Sequence, residues 1–488
     1  MCLCVSILFL NLCGSKLNLK VQSVTIFDNQ KIKMNMKKLI TPILSVLSFI
    51  LFSCQANSQT LVTRVVAQNF EHPWEIIWGP DNQLWMTERV GKITRVDPVT
   101  GIKTPLLTIA QVITGGERGL LGMALHPNFA TTPNLFVAFT YLDGNDDKVK
   151  VVRYDYANNA LTNPFTIIEN IEGNTTHDGC RLFIDANLKL FITTGDAQNL
   201  SAPQNLANLN GKVLRLNLDG SIPSDNPNPN SKVWSSGHRN SQGFVIANGK
   251  IYASEHGPDQ DDEINIITAG GNYGWPNIKG ACNEASETVF CADSNVIVPI
   301  ADWTPTIATA GLDYYNNAAI PEWNNSLLLT TLKDESLRIL TLNQAGTAVT
   351  NQATKFKSQF GRIRDLCISP AGKVYIVTTN GTSFQGGIGD RIIEIGNSTS
   401  GIATTKTSFF SVFPNPIANS KEAILNFAKT GNYFLNLTDL NGKSILKQTI
   451  AVIADLPFSL SLPQISKGIY FLGINGTEGS ENVKLIID

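Results

Sequence analysis

The pair LKLFITTGD (188–196) and GKVLRLNLDG (211–220) decides the fold. The first run alternates apolar side chains and ends on polar residues. After a turn, the second sets Lys212 and Arg215 among apolar neighbours. Alternation over runs this short marks β-strands. The same unit returns along the chain: NQLWMTERVGKITRVD (82–97), NLFVAFTY with VKVVRYDY (134–156), GKIYASEHG with DEINIIT (249–268), NSLLLTTLKDESLRILTLN (325–343) and GKVYIVTTNG with DRIIEIG (372–396). Trp85, Phe136, Phe191, Tyr252, Leu328 and Tyr375 mark six units, spaced 51, 55, 61, 76 and 47 residues apart. Six such units predict an all-β, six-bladed β-propeller over 59–397, each blade burying its faces against its neighbours. A β-sandwich is the alternative, but it does not repeat one strand-pair pattern six times. Loops between blades gather at one end of the central channel, so polar strand ends from different blades converge there.

Both ends differ in kind. Residues 1–58 read as upstream sequence and an export leader. Lys37 and Lys38 start it, Leu39 to Phe52 form the apolar run, and Ala56-Asn57-Ser58 the small-residue exit. The run is short for a membrane anchor. Leu51-Phe52-Ser53-Cys54 is close to a lipidation box, with Phe52 bulky for its position. At the other end, 398–408 is a linker in a Gly/Ser/Thr-rich stretch. Residues 409–488 alternate apolar positions between Asn-Gly turns, which predicts a small C-terminal β-sandwich without His or Cys.

The chain has 488 residues, 43% apolar and 16% charged, which excludes a solvated disordered polymer. Removing 1–58 takes away six lysines and Asp28, leaving 32 Lys+Arg against 39 Asp+Glu, a net charge of −7. No basic stripe exists, so no nucleic-acid partner is expected. Four cysteines remain: Cys180, Cys282, Cys291 and Cys367. Cys282 and Cys291 flank a polar loop, and export exposes them to oxidising conditions, which suits a disulfide. No CxxC or CxxCH occurs, so neither a zinc site of that type nor an attached haem is expected.

Of five histidines, His177 in NTTHDGCRL stands in a polar loop before a strand. It has the titration range of a general base, with a hydrogen-bonded loop histidine as the plainer alternative. EHGPDQDDEIN (255–265) is acid-rich and offers oxygen ligands to a hard cation, though not in EF-hand order. Arg239, Lys333, Arg362 and Arg364 lie at strand ends of different units. Together they suit a ligand with several carboxylates, scattered ion pairs being the alternative.

The order of GERGLLGMALHPNF, HDGCRL, GDAQN, GKVLRLNLDGSIPSDNP, GHRNSQG, EHGPDQDDEINIITAGGNYGWPN and RIRD resembles the soluble glucose/sorbosone dehydrogenase family over roughly residues 62–396. That resemblance implies a six-bladed propeller using pyrroloquinoline quinone (PQQ) and Ca2+ to oxidise an aldose or related sugar. It puts the base on His177, and the cofactor contacts on Arg239, Asn240, Thr306, Lys333, Arg362 and Arg364. The cofactor-side calcium falls on the carbonyls of Gly257 and Pro258, and a structural calcium on Glu263 and Tyr273. Glu117 stands at the cofactor where the aldose enzymes carry glutamine. Electrons would leave to an external acceptor.

The tail resembles the C-terminal sorting domain of the type IX secretion system. Pro414-Asn415-Pro416, Asp439-Leu440-Asn441-Gly442-Lys443, Gly468-Ile469-Tyr470 and Lys484-Leu485-Ile486-Ile487 carry the match, and the terminal Asp488 departs from the usual basic ending. It implies contact with that secretion machinery, release to the medium or cell surface, and no transmembrane segment in the mature chain. The rival reading is a secreted non-enzymatic calcium-binding propeller that binds carbohydrate or a cell-surface partner. A propeller lactonase would want side-chain carboxylate and Asn ligands around one central calcium, and these are not evident.

Overall fold

The computed structural model describes residues 4–11, 18–25, 60–381, 389–397, 410–413, 415–417, 422–440, 442–454, 456–476 and 479–487. The leader run at 34–58 with Cys54, the linker 398–408, and Pro414, Asn441 and Asp488 of the tail lie outside the described residues. In the N-terminal unit, Cys4–Asn11 pairs antiparallel with Asn18–Thr25.

Six four-stranded antiparallel sheets follow one another, one for each predicted unit. The first strands of the six blades are Pro73–Trp78, Leu120–Leu125, Gly179–Ile184, Ser241–Ala247, Thr309–Tyr315 and Ile363–Ile368. Each touches the next and the last touches the first, so they line a closed ring around a channel. Close approach in that ring needs small residues. A Cβ on Gly122 would fall 1.9 Å from the Cys180 carbonyl oxygen of the neighbouring blade.

Sequence pattern missed how the ring closes. The sixth blade takes three strands from Ile363–Asn397 and its fourth from Leu61–Phe70, whose partner is Asp390–Asn397. A strand at the start of the propeller thus locks its end and leaves no open edge there. Between blades the core is aromatic and aliphatic. Trp85 is fully buried, with edge contacts to Phe129 at 5.5 Å and Tyr156 at 4.9 Å. Deleting such a ring costs about 3–5 kcal/mol.

Cys282 and Cys291 are bonded, as the oxidising setting predicts. The stretch is not only a polar loop, because a helix, Ala285–Asp293, starts within it and runs through Cys291. Glu287 makes the difference. Its carboxylate accepts the Glu284 N–H at 3.3 Å and the Lys279 N–H at 2.9 Å, satisfying donors that a short helix leaves open.

The tail forms the predicted sandwich. One sheet joins Phe410–Phe413, Glu422–Phe427 and Phe458–Ser461, and the other joins Ser444–Val452, Gly431–Thr438, Gly468–Gly476 and Gly479–Ile487. Leu425, Leu435, Leu437, Leu472 and Leu485 are fully buried in a core built from its own residues. Among the described residues no helix is long and apolar enough to cross a membrane.

Candidate active site

The loops at the start of the inner strands carry the polar side chains. His177 lies two residues before the strand Gly179–Ile184, with φ at +64°. Three bonds hold it in that left-handed conformation. Its N–H donates to Glu117 Oε2 at 3.0 Å, its carbonyl accepts the Ala197 N–H at 3.2 Å, and its Nδ1 lies 2.8 Å from Asp196 Oδ1. Only glycine fits at 195, because a Cβ there would fall 1.7 Å from the His177 carbonyl oxygen.

Asp196 is fully buried and fully bonded. Oδ1 also accepts the Gln198 N–H at 2.8 Å, and Oδ2 accepts Trp275 Nε1–H at 2.8 Å. Burial pushes this carboxyl up, but the bonds from His177, Gln198 and Trp275 more than offset it, so it stays below its ordinary value. An ionised carboxylate only accepts. It therefore fixes the His177 proton on Nδ1 and leaves Nε2 with a free lone pair. The His177 side chain is 18% exposed, enough for a substrate hydroxyl to reach it. Sequence reasoning singled out neither Asp196 nor Trp275, although both lie in quoted motifs. The available signal was that Asp196 directly follows a strand whose polar end points to the same mouth.

Around this pair the blades are tied together. The Asp196 N–H donates to the Arg239 carbonyl at 2.8 Å. Asn240 Oδ1 accepts the Gly179 N–H at 3.1 Å, and its Nδ2 donates to Glu117 Oε2 at 3.4 Å. Burial raises the Glu117 carboxyl, and the His177 N–H with the charges of His256 and Arg364 outweighs burial, leaving it ionised. Next to His177, Asp178 is buried, accepts the Asn174 N–H at 2.9 Å and has its other oxygen unpartnered. Burial first, then the Glu117 charge, pushes its carboxyl up to about 8.

The other expected residues fall into three adjoining cavities rather than one. Arg362 and Arg364 line a cavity of about 170 Å3 with Glu117, His72, Arg89, Gln242 and His256. Arg239, Gly257, Pro258, Glu263 and Tyr273 line a space of about 20 Å3, which also touches His256. Thr306 and Lys333 line a third, of about 520 Å3, with Lys333 Nζ donating to Thr306 Oγ1 at 3.2 Å. Leu332, beside Lys333, reaches the 170 Å3 cavity. Asp262 joins two of these walls by accepting the Gly257 N–H at 2.9 Å and the Ile307 and Ala308 N–H groups at 2.7 and 2.6 Å.

These residues fit a polycarboxylate cofactor. Among the described residues Arg239, Lys333 and Arg362 make no ion pair. The Nε atoms of Arg239 and Arg364 are buried without partners. Burial lowers the Arg364 guanidinium to about 9, a cost that a bound carboxylate would relieve. The Gly257, Pro258 and Tyr273 carbonyls and the Glu263 carboxylate at the 20 Å3 space are oxygen donors of the kind a hard cation takes, in a wall that also carries Arg239, His256 and Lys279. Glu263 is pushed up to about 8 by burial and by the Glu255 charge, and its oxygens accept from Asn265 Nδ2 at 2.8 Å and the Gly280 N–H at 2.7 Å. The Tyr273 hydroxyl donates to the Ile266 carbonyl at 2.6 Å and accepts the Thr268 N–H at 2.9 Å, which leaves its carbonyl as the ligand atom. Among the described residues no three His, Cys, Asp or Glu side chains gather as a metal cluster, so ligation here would rest on backbone oxygens and Glu263.

Comparison with known proteins follows this geometry. Residues 70–385 match the glucose/sorbosone dehydrogenase family, and residues 411–488 match the secretion system C-terminal sorting domain. Quinoprotein glucose dehydrogenase B of Acinetobacter calcoaceticus is 30% identical over 414 residues, covering 67% of this chain and 87% of its own. An aldose sugar dehydrogenase of Escherichia coli is 30% identical over 337 residues, 65% of this chain and 90% of its own. The PQQ-bound aldose sugar dehydrogenase of Streptomyces coelicolor superposes with a TM-score of 0.60 at 31% identity, over 70% of this chain and 100% of its own.

Proposed function

The chain belongs to the glucose/sorbosone dehydrogenase family, and we propose that it is an exported quinoprotein that oxidises an aldose or related sugar at a hydroxyl or hemiacetal carbon. The observation that carries this reading is the His177–Asp196 pair, in a mouth whose Arg239, Lys333 and Arg362 make no ion pair among the described residues. Bound PQQ would supply the two-electron oxidant for the substrate hydride.

The chain's own residues then divide the work. His177 Nε2 takes the proton of the sugar hydroxyl as the hydride leaves the same carbon. The imidazolium so formed faces Asp196. At an effective dielectric of about 20, opposite charges about 4 Å apart attract by ~4 kcal/mol, which is roughly a thousandfold in rate. Arg239, Asn240, Thr306, Lys333, Arg362 and Arg364 would hold the cofactor, the cations among them meeting its carboxylates. Glu117 serves the base instead of the cofactor, since the oxygen that holds His177 N–H also takes Asn240. The Gly257 and Pro258 carbonyls would hold one Ca2+, and Glu263 with the Tyr273 carbonyl another. Electrons pass to an external acceptor.

On this reading residues 1–58 are removed, 59–397 carry the chemistry, 398–408 connect, and 409–488 address the chain to the type IX machinery. The direct test titrates purified protein with PQQ and Ca2+ and follows the quinone absorbance as aldoses are added. Saturable binding and aldose-dependent bleaching are expected. If quinone does not bind, the reading fails and the non-enzymatic carbohydrate-binding propeller takes its place.

A further inference from the structure

The inner strands all run in the same direction, so their last residues face the end of the channel away from His177. That far mouth holds a cavity of about 530 Å3, within the range of roughly 300–1,000 Å3 usual for small-molecule sites. It is separated from the near mouth by an ion cluster. Arg181 bridges Glu75 and Asp365, the latter at 3.1 Å, and its guanidinium lies 4.4 Å from the Trp74 ring.

Part of the wall of the far cavity is apolar and aromatic, with Trp78, Met123, Phe183, Phe244, Leu366 and Ile368. Of the charged side chains in that wall, Asp313 makes no ion pair among the described residues, whereas Glu75, Asp365 and Arg181 are paired with one another. Asp313 lies on the strand Thr309–Tyr315 and lines the cavity. Its Oδ1 accepts the Tyr314 N–H at 2.7 Å, and its Oδ2 has no partner among the described residues. The other titratable groups of the wall are Glu75, His126, Arg181, Asp365 and Cys367. Arg181 is already engaged by Glu75 and Asp365. Burial lowers the His126 imidazole and raises the Cys367 thiol, so both are neutral near pH 7. No cation of the wall therefore answers Asp313. A carboxylate outside that ion cluster, in a cavity that three aromatic side chains also line, is complementary to a positive charge on an apolar body, since ring faces attract cations and the carboxylate supplies the counter-charge.

We propose that the far mouth of the channel is a binding site for a small organic cation, an alkyl- or arylammonium, with its apolar body against Trp78, Phe183 and Phe244 and its charge on Asp313. The site is independent of the sugar-oxidising one and stands whether or not that reading holds. Burial, with the Asp365 charge behind it, pushes the Asp313 carboxyl up to about 7. A bound cation favours the ionised form, so affinity rises with pH through about 7 and levels off above it.

The test is calorimetric titration of the full chain with benzyltrimethylammonium, with benzyl alcohol as the neutral control and benzoate as the anionic one. Saturable one-to-one binding is expected, strengthening from pH 6 to pH 8 and unchanged in His177→Ala. Asp313→Asn keeps the shape and the Tyr314 bond, so it should fold. It should weaken binding about tenfold or more and flatten the pH response. Phe183→Leu should weaken it severalfold with the pH response retained. No binding of the ammonium at low-millimolar concentration overturns the proposal. So do equal affinities for benzyl alcohol or benzoate, and so does wild-type affinity in Asp313→Asn.

Discussion

Asp196→Asn tests the site through a residue that need not touch substrate. In the wild type, Asp196 Oδ1 takes His177 Nδ1 and the Gln198 N–H, and Oδ2 takes Trp275 Nε1–H, each at 2.8 Å. All three partners donate, and an ionised carboxylate serves them all. An asparagine at this position has only one accepting oxygen. Turned toward His177 and Gln198, it points its NH2 at the Trp275 indole N–H. Turned the other way, it donates to Nδ1, moves the imidazole proton to Nε2 and removes the base. Either rotamer loses the charge opposite the imidazolium, ~4 kcal/mol at an effective dielectric of about 20, or roughly a thousandfold. The expected result is a kcat lowered about 10²–10⁴-fold with PQQ affinity within about threefold of wild type. Stopped-flow reduction of the bound quinone by excess aldose measures the first, and quinone titration the second. A kcat within about threefold of wild type would refute the tautomer argument. Lost quinone affinity with an unchanged chemical rate would make Asp196 a cofactor-pocket residue.

His177→Ala should also lower turnover about 10²–10⁴-fold while PQQ titrates normally, and near-wild-type rates would remove His177 from the role. The Asp178 carboxyl sits at about 8 in the folded chain against about 4 unfolded, so the native state holds the extra proton in between. Its contribution is complete below pH ~4 and falls by about 1.4 kcal/mol per pH unit as pH rises toward 8. Asp178→Asn, which keeps an acceptor for Asn174, should therefore gain stability over wild type as pH rises in denaturant titrations, and parallel curves would refute the assignment. Lys212 is fully buried, and its Nζ donates to the carbonyls of Ala202, Pro203 and Asn210 at 2.8, 2.9 and 2.8 Å. Lys212→Met strands three acceptors at roughly 1–3 kcal/mol each, so the chain should lose about 3 kcal/mol or more, read as an earlier urea midpoint. Chelator should lower the melting temperature of the wild type and do so less in Glu263→Gln, because an ion held only by the folded state stabilises it. Identical shifts in the two would put the ion elsewhere.

The propeller was legible because it is written six times at strand spacing. Its closure was not. The strand Leu61–Phe70 pairs with Asp390–Asn397, some 330 residues away, and nothing in its own alternation names that partner. The helix at Ala285–Asp293, which includes Cys291, was hidden for another reason, since its nine residues carry no clear apolar periodicity and it starts on a capping box in which Glu287 accepts the Glu284 N–H. Arg362 and Arg364 stand two apart and line one cavity, but the strand begins only at Ile363 and its register is irregular between Ile363 and Asp365, so strand alternation alone does not account for it. Gathering Arg239, Lys333 and that pair in one place depends on how three blades meet, and the structure spreads them over three adjoining cavities.

The base shows why a site is harder to read than a fold. His177, Ala197 and Gln198, in the two loops that meet at the base, and Cys180, at the start of the strand Gly179–Ile184, all have left-handed φ, from +48° to +75°. None is glycine, and each such residue costs of order 1–3 kcal/mol unless its surroundings impose the conformation. Here the surroundings come from three blades. Glu117 belongs to the approach to the second, Asp196 and Ala197 to the third, and Asn240, which holds the Gly179 N–H, to the fourth. No window of sequence around His177 contains any of these partners except its own loop. Residue type alone therefore favoured a plain hydrogen-bonded loop histidine, and it is one. What separates it from fully buried His238 is that its bonds occupy the backbone and Nδ1 and leave Nε2 free, whereas His238 has Nε2 2.8 Å from Ser235 and Nδ1 3.0 Å from Glu255. A histidine with both nitrogens engaged holds a fold together, and one with a single nitrogen engaged by a buried carboxylate is set to accept a proton.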